Sequence, residues 1–228
     1  RYTWRGGSTL PCAAFWSSTI NHNSISDIQA LLETNGLTLK KRFGQNFLVD
    51  ATARRRIAAT IGDELGHHAE STGELWEIGP GIGSLTTELL ELNRPMRLFE
   101  IDHGLIRVLR DQFGGAVPIE EGDFVRTVAA LERETPAAIV GNLPYYSASS
   151  MVARIIESEL AVPVMVFLVQ AELADRMEAA VGGKDYSALS VLVQSHYTVY
   201  SAFHIGGAAF YPRPRVGSTV IVMRAVED

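Results

Sequence analysis

The stretch Glu77-Ile78-Gly79-Pro80-Gly81-Ile82-Gly83 decides how the rest of this sequence can fold. It follows an apolar segment typical of a buried strand, residues 75–78, and it precedes a helical pattern over residues 84–92. Three alternate glycines let the backbone turn sharply and let a ligand approach without meeting Cβ atoms. Such a turn is typical of a nucleotide-type binding site, with a purely structural turn as the alternative. Its G-x-G-x-G spacing favours S-adenosylmethionine over a dinucleotide, because S-adenosylmethionine has no pyrophosphate to bind.

Strand and helix patterns alternate from residue 74 onward, which predicts a doubly wound α/β fold. We expect a Rossmann-like, seven-stranded, mostly parallel sheet with helices on both faces. The predicted strands are 74–78, 96–101, 117–120, 137–140, 162–169, 189–201 and 217–223. The predicted helices are 26–35 with Ser26 as N-cap, 50–61 closed by Gly62, 84–92, 103–113, 125–134, 147–159 and 171–180. Residues 1–37 are expected to form an N-terminal arm with one helix, and residues 38–228 the main domain.

Polar residues stand where these strands end, and the carboxyl ends of parallel strands meet at one edge of a sheet. Glu100 ends the second strand and is placed to accept hydrogen bonds from both hydroxyls of a ribose. Asp123 follows the third strand and is placed to accept from an adenine amino group. Taken alone, each residue has another explanation. For Glu100 it is a solvated strand end, and for Asp123 it is the N-cap of the following helix. Together with the glycines and the loop at residues 142–145, they predict one binding site.

The loop Asn142-Leu143-Pro144-Tyr145 suits methylation of an adenine amino group, although a plain turn is the alternative. The N6 lone pair of adenine is delocalised into the ring, so this nitrogen is a poor nucleophile. Two acceptors, the Asn142 side-chain oxygen and the Leu143 carbonyl, favour a pyramidal nitrogen whose lone pair points at the methyl group. Pro144 fixes the turn without an N–H, and Tyr145 can stack on the base. Since a sulfonium leaving group is already activated, the protein's task is alignment.

The composition of the chain excludes some other classes of protein. The 228 residues carry a formal net charge of -6, so any contact with nucleic acid must depend on a local basic patch. Cys12 is the only cysteine, which excludes an internal disulfide and fits a reducing compartment, so we expect a cytoplasmic protein. No apolar run reaches the ~18 residues of a membrane span. The histidines lack metal-ligand spacing, so we expect no metal, and we expect a monomer.

Several stretches together resemble the KsgA/RsmA family of small-subunit ribosomal RNA adenine dimethyltransferases. One of them, Lys41 to Leu48, is basic and then aromatic, and a charged, solvent-exposed segment is the alternative explanation for it. The stretches are Lys41-Arg42-Phe43-Gly44-Gln45-Asn46-Phe47-Leu48, Glu77-Ile78-Gly79-Pro80-Gly81, Glu100-Ile101-Asp102, Gly122-Asp123, Gly141-Asn142-Leu143-Pro144-Tyr145 and Phe210-Tyr211-Pro212-Arg213-Pro214-Arg215-Val216. The resemblance covers about residues 38–224 and implies the fold of a class I S-adenosylmethionine-dependent methyltransferase.

The resemblance also implies roles for the matching residues. The cofactor is expected to contact Asn46, Leu48, Gly79, Gly81, Glu100, Ile101, Asp123, Phe124 and Asn142. The catalytic loop is Asn142, Leu143, Pro144 and Tyr145. The RNA is expected to contact Lys40, Lys41, Arg42, Phe43, Tyr145, Tyr146, Phe210 and Arg213, with a core position as the alternative for Phe210. The implied substrate is two adjacent adenines in a hairpin loop near the 3′ end of small-subunit rRNA, in an immature small subunit, and each becomes N6,N6-dimethyladenosine.

Two departures from the family pattern accompany this resemblance. Family members continue past the last strand into a small helical domain, which we expect to be absent because this chain stops at Asp228. Ser187 and Gly217 stand where a glycine and an acidic residue are common, and we expect local effects only. The first rival is a large-subunit rRNA adenine methyltransferase of the resistance type. The second is a non-catalytic ribosome-assembly or transcription factor on the same scaffold, which an intact Asn142 argues against.

Overall fold

A computed structural model describes residues 20–39, 44–68, 72–131, 134–158 and 160–226. The strands in these ranges are β1 (Phe47–Leu48), β2 (Leu75–Ile78), β3 (Met96–Glu100), β4 (Ile119–Glu121), β5 (Ala138–Asn142), β6 (Val164–Gln170), β7 (Tyr197–Ile205), β8 (Phe210–Tyr211) and β9 (Ser218–Ala225). The α-helices are α1 (Ile25–Thr34), α2 (Ala51–His67), α3 (Ser84–Leu90), α4 (His103–Phe113), α5 (Phe124–Thr127), α6 (Ala148–Glu157), α7 (Ala171–Glu178) and α8 (Ala188–Gln194).

Seven of these strands form one sheet in the order β4-β3-β2-β5-β6-β9-β7. The neighbours from β4 to β6 run parallel, whereas β9 runs antiparallel to both β6 and β7. Because β3 and β5 lie on opposite sides of β2, the strand order reverses there, and a crevice opens outside the carboxyl ends of these strands. The prediction of a Rossmann-like, seven-stranded, mostly parallel sheet is confirmed.

Helices cover both faces of this sheet because its central strands are largely apolar on both sides. Every residue of β2 is buried, and so is β6 as far as Val169. One buried cluster joins the sheet to α2, α3 and α4, and a second joins the opposite face to α5, α6, α7 and α8. A third cluster packs α1 against Phe47, Ile82 and Leu105, so α1 lies beside the glycine loop. The domain boundary at residue 37 stays a prediction.

The strand predicted over residues 189–201 is wrong for its first part and right from Tyr197 onward. The structure has α8 over the first part, and β7 begins only at Tyr197. The run is rich in branched apolar residues, which favours a strand, but Leu189 and Val193 are four residues apart and both are buried. A reciprocal capping arrangement between Ser187 and Ser190 starts the helix. Packing of one helical face against the sheet therefore overrides the local preference.

Three helix boundaries also differ from the prediction. The hydroxyl that caps α1 belongs to Ser24 rather than to Ser26. Helix α2 continues through Gly62 to His67; a Cβ at Gly62 would lie 3.2 Å from the Leu92 side chain, so close packing explains this glycine. The helix predicted over residues 125–134 is the short α5, followed by a 3₁₀ turn over Val128–Ala130.

The short strands β1 and β8 form a separate antiparallel ribbon. Phe47 pairs with Tyr211, and Leu48 pairs with Phe210. The ribbon joins two motifs that lie near opposite ends of the described chain. The end of the basic-aromatic stretch, Phe47–Leu48, and the start of the proline-rich stretch, Phe210–Tyr211, are therefore one structural unit beside the main sheet.

None of the described helices combines the length and the apolar composition that crossing a membrane requires. Within the same described ranges, the His, Cys, Asp and Glu side chains form no group of three or more that could hold a metal ion. The expected absence of a metal cofactor stays a prediction.

Candidate active site

A cavity of about 330 Å³ opens where the carboxyl ends of β2, β3 and β5 meet. All the residues predicted to surround the cofactor line it: Asn46, Leu48, Gly79, Gly81, Glu100, Ile101, Asp123, Phe124 and Asn142. Five segments that are far apart in the sequence thus line one cavity. The sheet topology explains the convergence, because parallel strands place their carboxyl ends at the same edge.

The glycine loop gives this cavity a floor without side chains. Gly79, Gly81 and Gly83 have φ angles of 67°, 62° and 79°, in the left-handed region that L side chains rarely adopt. A Cβ at Gly81 would also lie 3.1 Å from the Phe47 ring. Glycine at position 81 is therefore required both by its backbone conformation and by the close approach of β1.

The carboxylate of Glu100 is held by three backbone N–H groups. Its Oε2 accepts from Gly81 at 3.1 Å, and its Oε1 accepts from Ile101 and Asp102 at 2.9 Å each. Glu100 is only 5% exposed, so it is not the solvated strand end that was its alternative. Burial raises the pKa of Glu100 to about 7, against the opposing effect of the three N–H groups. The side chain is fixed in place before any ligand arrives.

Glu77 is a second buried carboxylate in the same wall, and the sequence analysis assigned it no role. It is 2% exposed, and the Thr86 hydroxyl donates to its Oε2 at 2.7 Å. Burial raises its pKa to about 8, and the neighbouring charge of Glu100 acts in the same direction. A signal was present in the sequence, because a charged residue within a buried strand is uncommon.

Asp123 is a helix N-cap that also lines the cavity, and its contact with an adenine amino group stays a prediction. Its Oδ1 accepts from the Val125 N–H at 3.1 Å, which makes it the N-cap of α5, and it also lines the cavity. Phe124 beside it is buried and packs edge-on against Phe99, with ring centroids 5.0 Å apart. The helix N-cap and the cavity wall thus coincide in one residue.

Asn142 connects the base-methylation loop to the basic-aromatic stretch. Its Nδ2 donates to the Asn46 carbonyl at 2.8 Å, which leaves Oδ1 as the acceptor of this amide. A Cβ built on Gly79 would be 3.9 Å from the Asn142 carbonyl oxygen. Asn142 therefore lies beside the glycine floor, as the sequence analysis requires.

The sequence analysis expected the ring of Tyr145 to be available for stacking on the target base. The structure places the rings of Tyr145 and Tyr146 differently. Tyr145 is half-buried, and its hydroxyl forms a 2.7 Å hydrogen bond with the Ser218 hydroxyl. Burial raises the pKa of Tyr145 above its usual value. Tyr146 is 64% exposed and lines the cavity together with Pro144. The ring at the cavity wall in this structure is thus that of Tyr146.

The remaining predicted residues lie in three different settings. Leu143 is buried, and its N–H donates to the Leu168 carbonyl at 3.0 Å. Phe210 is 3% exposed and belongs to the same core cluster as Leu48, so the structure describes a core aromatic, and stacking on a base stays a prediction. Arg213 is exposed just beyond β8. The predicted RNA contacts at Lys40, Lys41, Arg42 and Phe43 lie outside the described residues.

The charged side chains that line the cavity, within the described part of the chain, are all carboxylates: Glu77, Glu100 and Asp123. A wall of this kind attracts a cation and disfavours a polyphosphate. This electrostatic preference agrees with the prediction, from glycine spacing, of S-adenosylmethionine rather than a dinucleotide.

The strand order, the glycine loop and the cavity at the carboxyl edge of the sheet define a class I S-adenosylmethionine-dependent methyltransferase. Within that class, the sequence model for "Ribosomal RNA adenine dimethylase" matches residues 36–227. The chain belongs to the ribosomal RNA adenine dimethylase family, which confirms the resemblance seen in its motifs.

Individual relatives agree with this membership. The chain is 37% identical over 207 residues to the ribosomal RNA small subunit methyltransferase A of Borreliella afzelii, covering 90% of this chain and 71% of that protein. It is 34% identical to the protein of the same name from Treponema denticola, covering 95% and 74%.

Solved structures give the same class. A dimethyladenosine transferase from Plasmodium falciparum has a TM-score of 0.60 at 27% identity, covering 73% of this chain and 62% of that one. The 23S rRNA methyltransferase ErmE has a TM-score of 0.62 at 26% identity, covering 79% and 70%. The fold is therefore shared with a dimethyladenosine transferase and with a 23S rRNA methyltransferase.

Proposed function

We propose that this protein transfers methyl groups from S-adenosylmethionine to adenine N6 in small-subunit ribosomal RNA, with a role in small-subunit biogenesis. The proposed targets are two adjacent adenines in the 3′-terminal hairpin loop, each converted to N6,N6-dimethyladenosine. Family membership and the names of the relatives support the reaction and the RNA. The structural observation that carries the proposal is that Asn142 lines the same cavity as Gly79 and Glu100.

The residues in the cavity fit S-adenosylmethionine. The glycine floor admits close contact, Glu100 suits a ribose, and Asp123 suits an adenine amino group. Leu48 and Asn46 line the same cavity, where they would cover the methionine end. When bound, this cofactor supplies a methyl group on a positively charged sulfur, which leaves as a neutral thioether. The acidic lining is matched to that positive charge.

The protein's own contribution to the reaction is alignment of the target base. Since the Asn142 amide donates through Nδ2 to Asn46, its Oδ1 is oriented as an acceptor for an N6 hydrogen. The Leu143 carbonyl is the proposed second acceptor. Tyr146, and Tyr145 if it rotates away from Ser218, are the aromatic rings available to stack on the base. No proton needs to be removed before transfer, which suits a loop that contains no basic side chain.

The test is methyl incorporation from labelled S-adenosylmethionine into immature small subunits, followed by nucleoside analysis. The expected product is N6,N6-dimethyladenosine in the small-subunit RNA, and Asn142→Ala is expected to abolish it. Label confined to the large-subunit RNA would instead support the resistance-type activity, which the likeness to ErmE keeps as the second candidate.

A scaffold role in ribosome assembly is the remaining alternative. It predicts that Asn142→Ala still binds the particles and still supports assembly, with unmethylated RNA. The proposal also includes RNA contact by Lys40, Lys41 and Arg42. Replacing all three should reduce the salt dependence of RNA binding, by a slope of about 2 in log Kd against log salt. A monomeric state and a cytoplasmic location belong to the same proposal.

A further inference from the structure

Three adjacent arginines in the first two turns of α2 have different surroundings. Arg54 is 3% exposed, donates to the Leu48 carbonyl at 3.1 Å and pairs with Glu88 at 3.4 Å. Arg55 and Arg56 are exposed, and neither has a carboxylate oxygen within 4 Å among the residues that the structure describes. The packing of α2 therefore explains Arg54, but no ion pair in the described part of the chain neutralises the other two.

Acidic partners are plentiful in this protein, with 26 Asp and Glu residues against 20 Lys and Arg residues. The arginines that pair with a carboxylate are Arg54, Arg97, Arg110, Arg126 and Arg224. The exposed charges of Arg55 and Arg56 are thus not explained by a shortage of carboxylates. Two adjacent positive charges without a partner raise the local potential and favour an anion from outside the protein.

The side chain of Arg56 is also held in one place. Its guanidinium carbon lies 3.9 Å from the centroid of the Phe203 ring, which belongs to β7. A guanidinium stacked on an aromatic ring keeps its N–H groups at its edge, where two of them can donate to one phosphate. Because the side chain is already ordered, binding costs less conformational entropy than it would for a mobile arginine.

The position of Phe203 connects this surface to the methylation loop. Ile205 lies two residues further along β7, roughly 7 Å towards the carboxyl edge of the sheet. Ile205 pairs with Ser218, whose hydroxyl is hydrogen-bonded to Tyr145. The arginine stacked on Phe203 is therefore at the end of β7 that lies beside the loop proposed to hold the target base.

A third cation lies at the same end of β7. A Cβ built on Gly207, in the turn after this strand, would be 3.7 Å from Nε of the exposed Arg213. We propose that Arg55 and Arg56 bind backbone phosphates of the RNA substrate, and that they continue the RNA-binding surface from Arg213 onto α2. The inference rests on the proposed function for the identity of the RNA.

This surface provides an attraction that the rest of the protein lacks. The net charge of -6 and the acidic lining of the cavity both disfavour a polyanion, so RNA binding needs a local cationic surface. Phosphate contacts of this kind position an RNA without reading its sequence. Arg55 and Arg56 are therefore expected to affect the affinity for the particle and its salt dependence, and to leave the cofactor site unchanged.

The experiment measures binding of the whole chain to immature small subunits over a series of salt concentrations. For the double variant Arg55→Gln/Arg56→Gln we expect the slope of log Kd against log salt to fall by roughly 1.5. Its binding should be about tenfold weaker at ~0.15 M salt and equal to that of the wild type near ~1 M. Calorimetry should show unchanged affinity for S-adenosylmethionine, and thermal unfolding checks that the variant is folded.

Two further variants separate charge from packing. Arg56→Gln also removes a packing contact with Phe203, so Arg55→Gln alone tests the charge, with an expected slope change of roughly 0.8. Arg107→Gln is the matched control. Arg107 is exposed, has no ion pair among the described residues, and lies on α4, which packs against β3 and β4 at the other end of the sheet from β7.

A photoreactive amino acid in place of Arg55 identifies what the surface touches. Crosslinking to ribosomal RNA supports the inference. Crosslinking to a ribosomal protein, or no more than the same amino acid gives in place of Arg107, overturns it. Salt slopes of the α2 variants equal to that of Arg107→Gln also overturn the inference, and both results leave the proposed function intact. Failure of the wild type to bind the particles at all would remove the proposed function itself.

Discussion

The cavity has two walls that are built in different ways. On the glycine-loop side, backbone N–H groups hold the Glu100 carboxylate in place, and every polar contact is made before a ligand arrives. On the side of Asn142 to Tyr146, the contacts are made by loop side chains, and one tyrosine ring is largely exposed. The comparison shows that the glycine-loop side is held by backbone hydrogen bonds, whereas the side proposed for the target base consists of loop side chains that include an exposed ring.

The largest effect should come from Asn142→Ala, because it removes the acceptor proposed for the N6 hydrogens. We expect the methyl-transfer rate to fall about 100- to 1000-fold, the cost typical of losing one aligned polar group at a reacting centre. The affinity for S-adenosylmethionine should change much less. Single-turnover methylation and calorimetry measure the two effects separately. A comparable loss in both would mean that the two walls are not independent.

The next effect is expected for Glu100→Ala, which leaves three backbone N–H groups without their acceptor. We expect the affinity for S-adenosylmethionine to fall about 10- to 100-fold, since hydrogen bonds to a charged group are among the stronger ones. Calorimetry measures this change, with the exposed Glu157→Ala as the control. Unchanged affinity would count against the ribose assignment.

A third prediction concerns His22, which ties the segment before α1 to the glycine-loop side. Gln112 donates to its Nε2 at 2.9 Å, so its Nδ1–H donates to Ser84 at 3.3 Å. Burial, and then the charge of Arg54, lower the pKa of His22 from 6.5 to about 4. Because the folded-state pKa is lowered, this contribution to stability is present above pH 6.5 and is lost as the pH falls towards 4.

His22→Gln should therefore make the unfolding free energy of the protein less sensitive to acid. Between pH 7 and pH 4.5 we expect the wild type to lose on the order of 2 kcal/mol more unfolding free energy than the variant. Urea unfolding at both pH values measures the difference. Parallel losses in the two proteins would show that His22 is not a source of the acid sensitivity.

The smallest effect is expected for Tyr145→Phe, on the wall for the target base. The change leaves the buried Ser218 hydroxyl without its partner, at a cost of about 1 kcal/mol in stability. The rate of methyl transfer should fall only a few-fold, and cofactor affinity should stay the same. Ser218→Ala should behave alike, and the double variant should cost less than the sum of the two. Strict additivity would argue against a functional hydrogen bond.

The sequence predicted that Gly79, Glu100 and Asp123 would line one cavity because they stand at strand ends. Once the strands and their parallel order were inferred, these residues had to meet at one edge, whatever the loops did. The burial of Glu77 was not predicted, although a charged residue in an apolar strand was visible, because its hydrogen bond with Thr86 depends on the packing of α3 on the sheet.

The wall for the target base was harder to predict for a different reason. Tyr145 and Tyr146 are adjacent, and the one that faces the cavity is decided by loop dihedral angles and by a hydroxyl on Ser218, far along the chain. The strand prediction for residues 189–194 failed for a similar reason, because their helical packing against the sheet depends on contacts that local patterns do not record. Strand ends follow from topology, whereas side-chain directions follow from tertiary contacts.

The ribbon of β1 and β8 has a consequence for how the protein comes into being. Residues near the start of the described chain help to cover the cavity, but they are held there by Phe210 and Tyr211. A chain growing on the ribosome therefore has a glycine loop and strand ends long before it has a closed cofactor site. The ribbon beside the cavity cannot form until Phe210 and Tyr211 have been made.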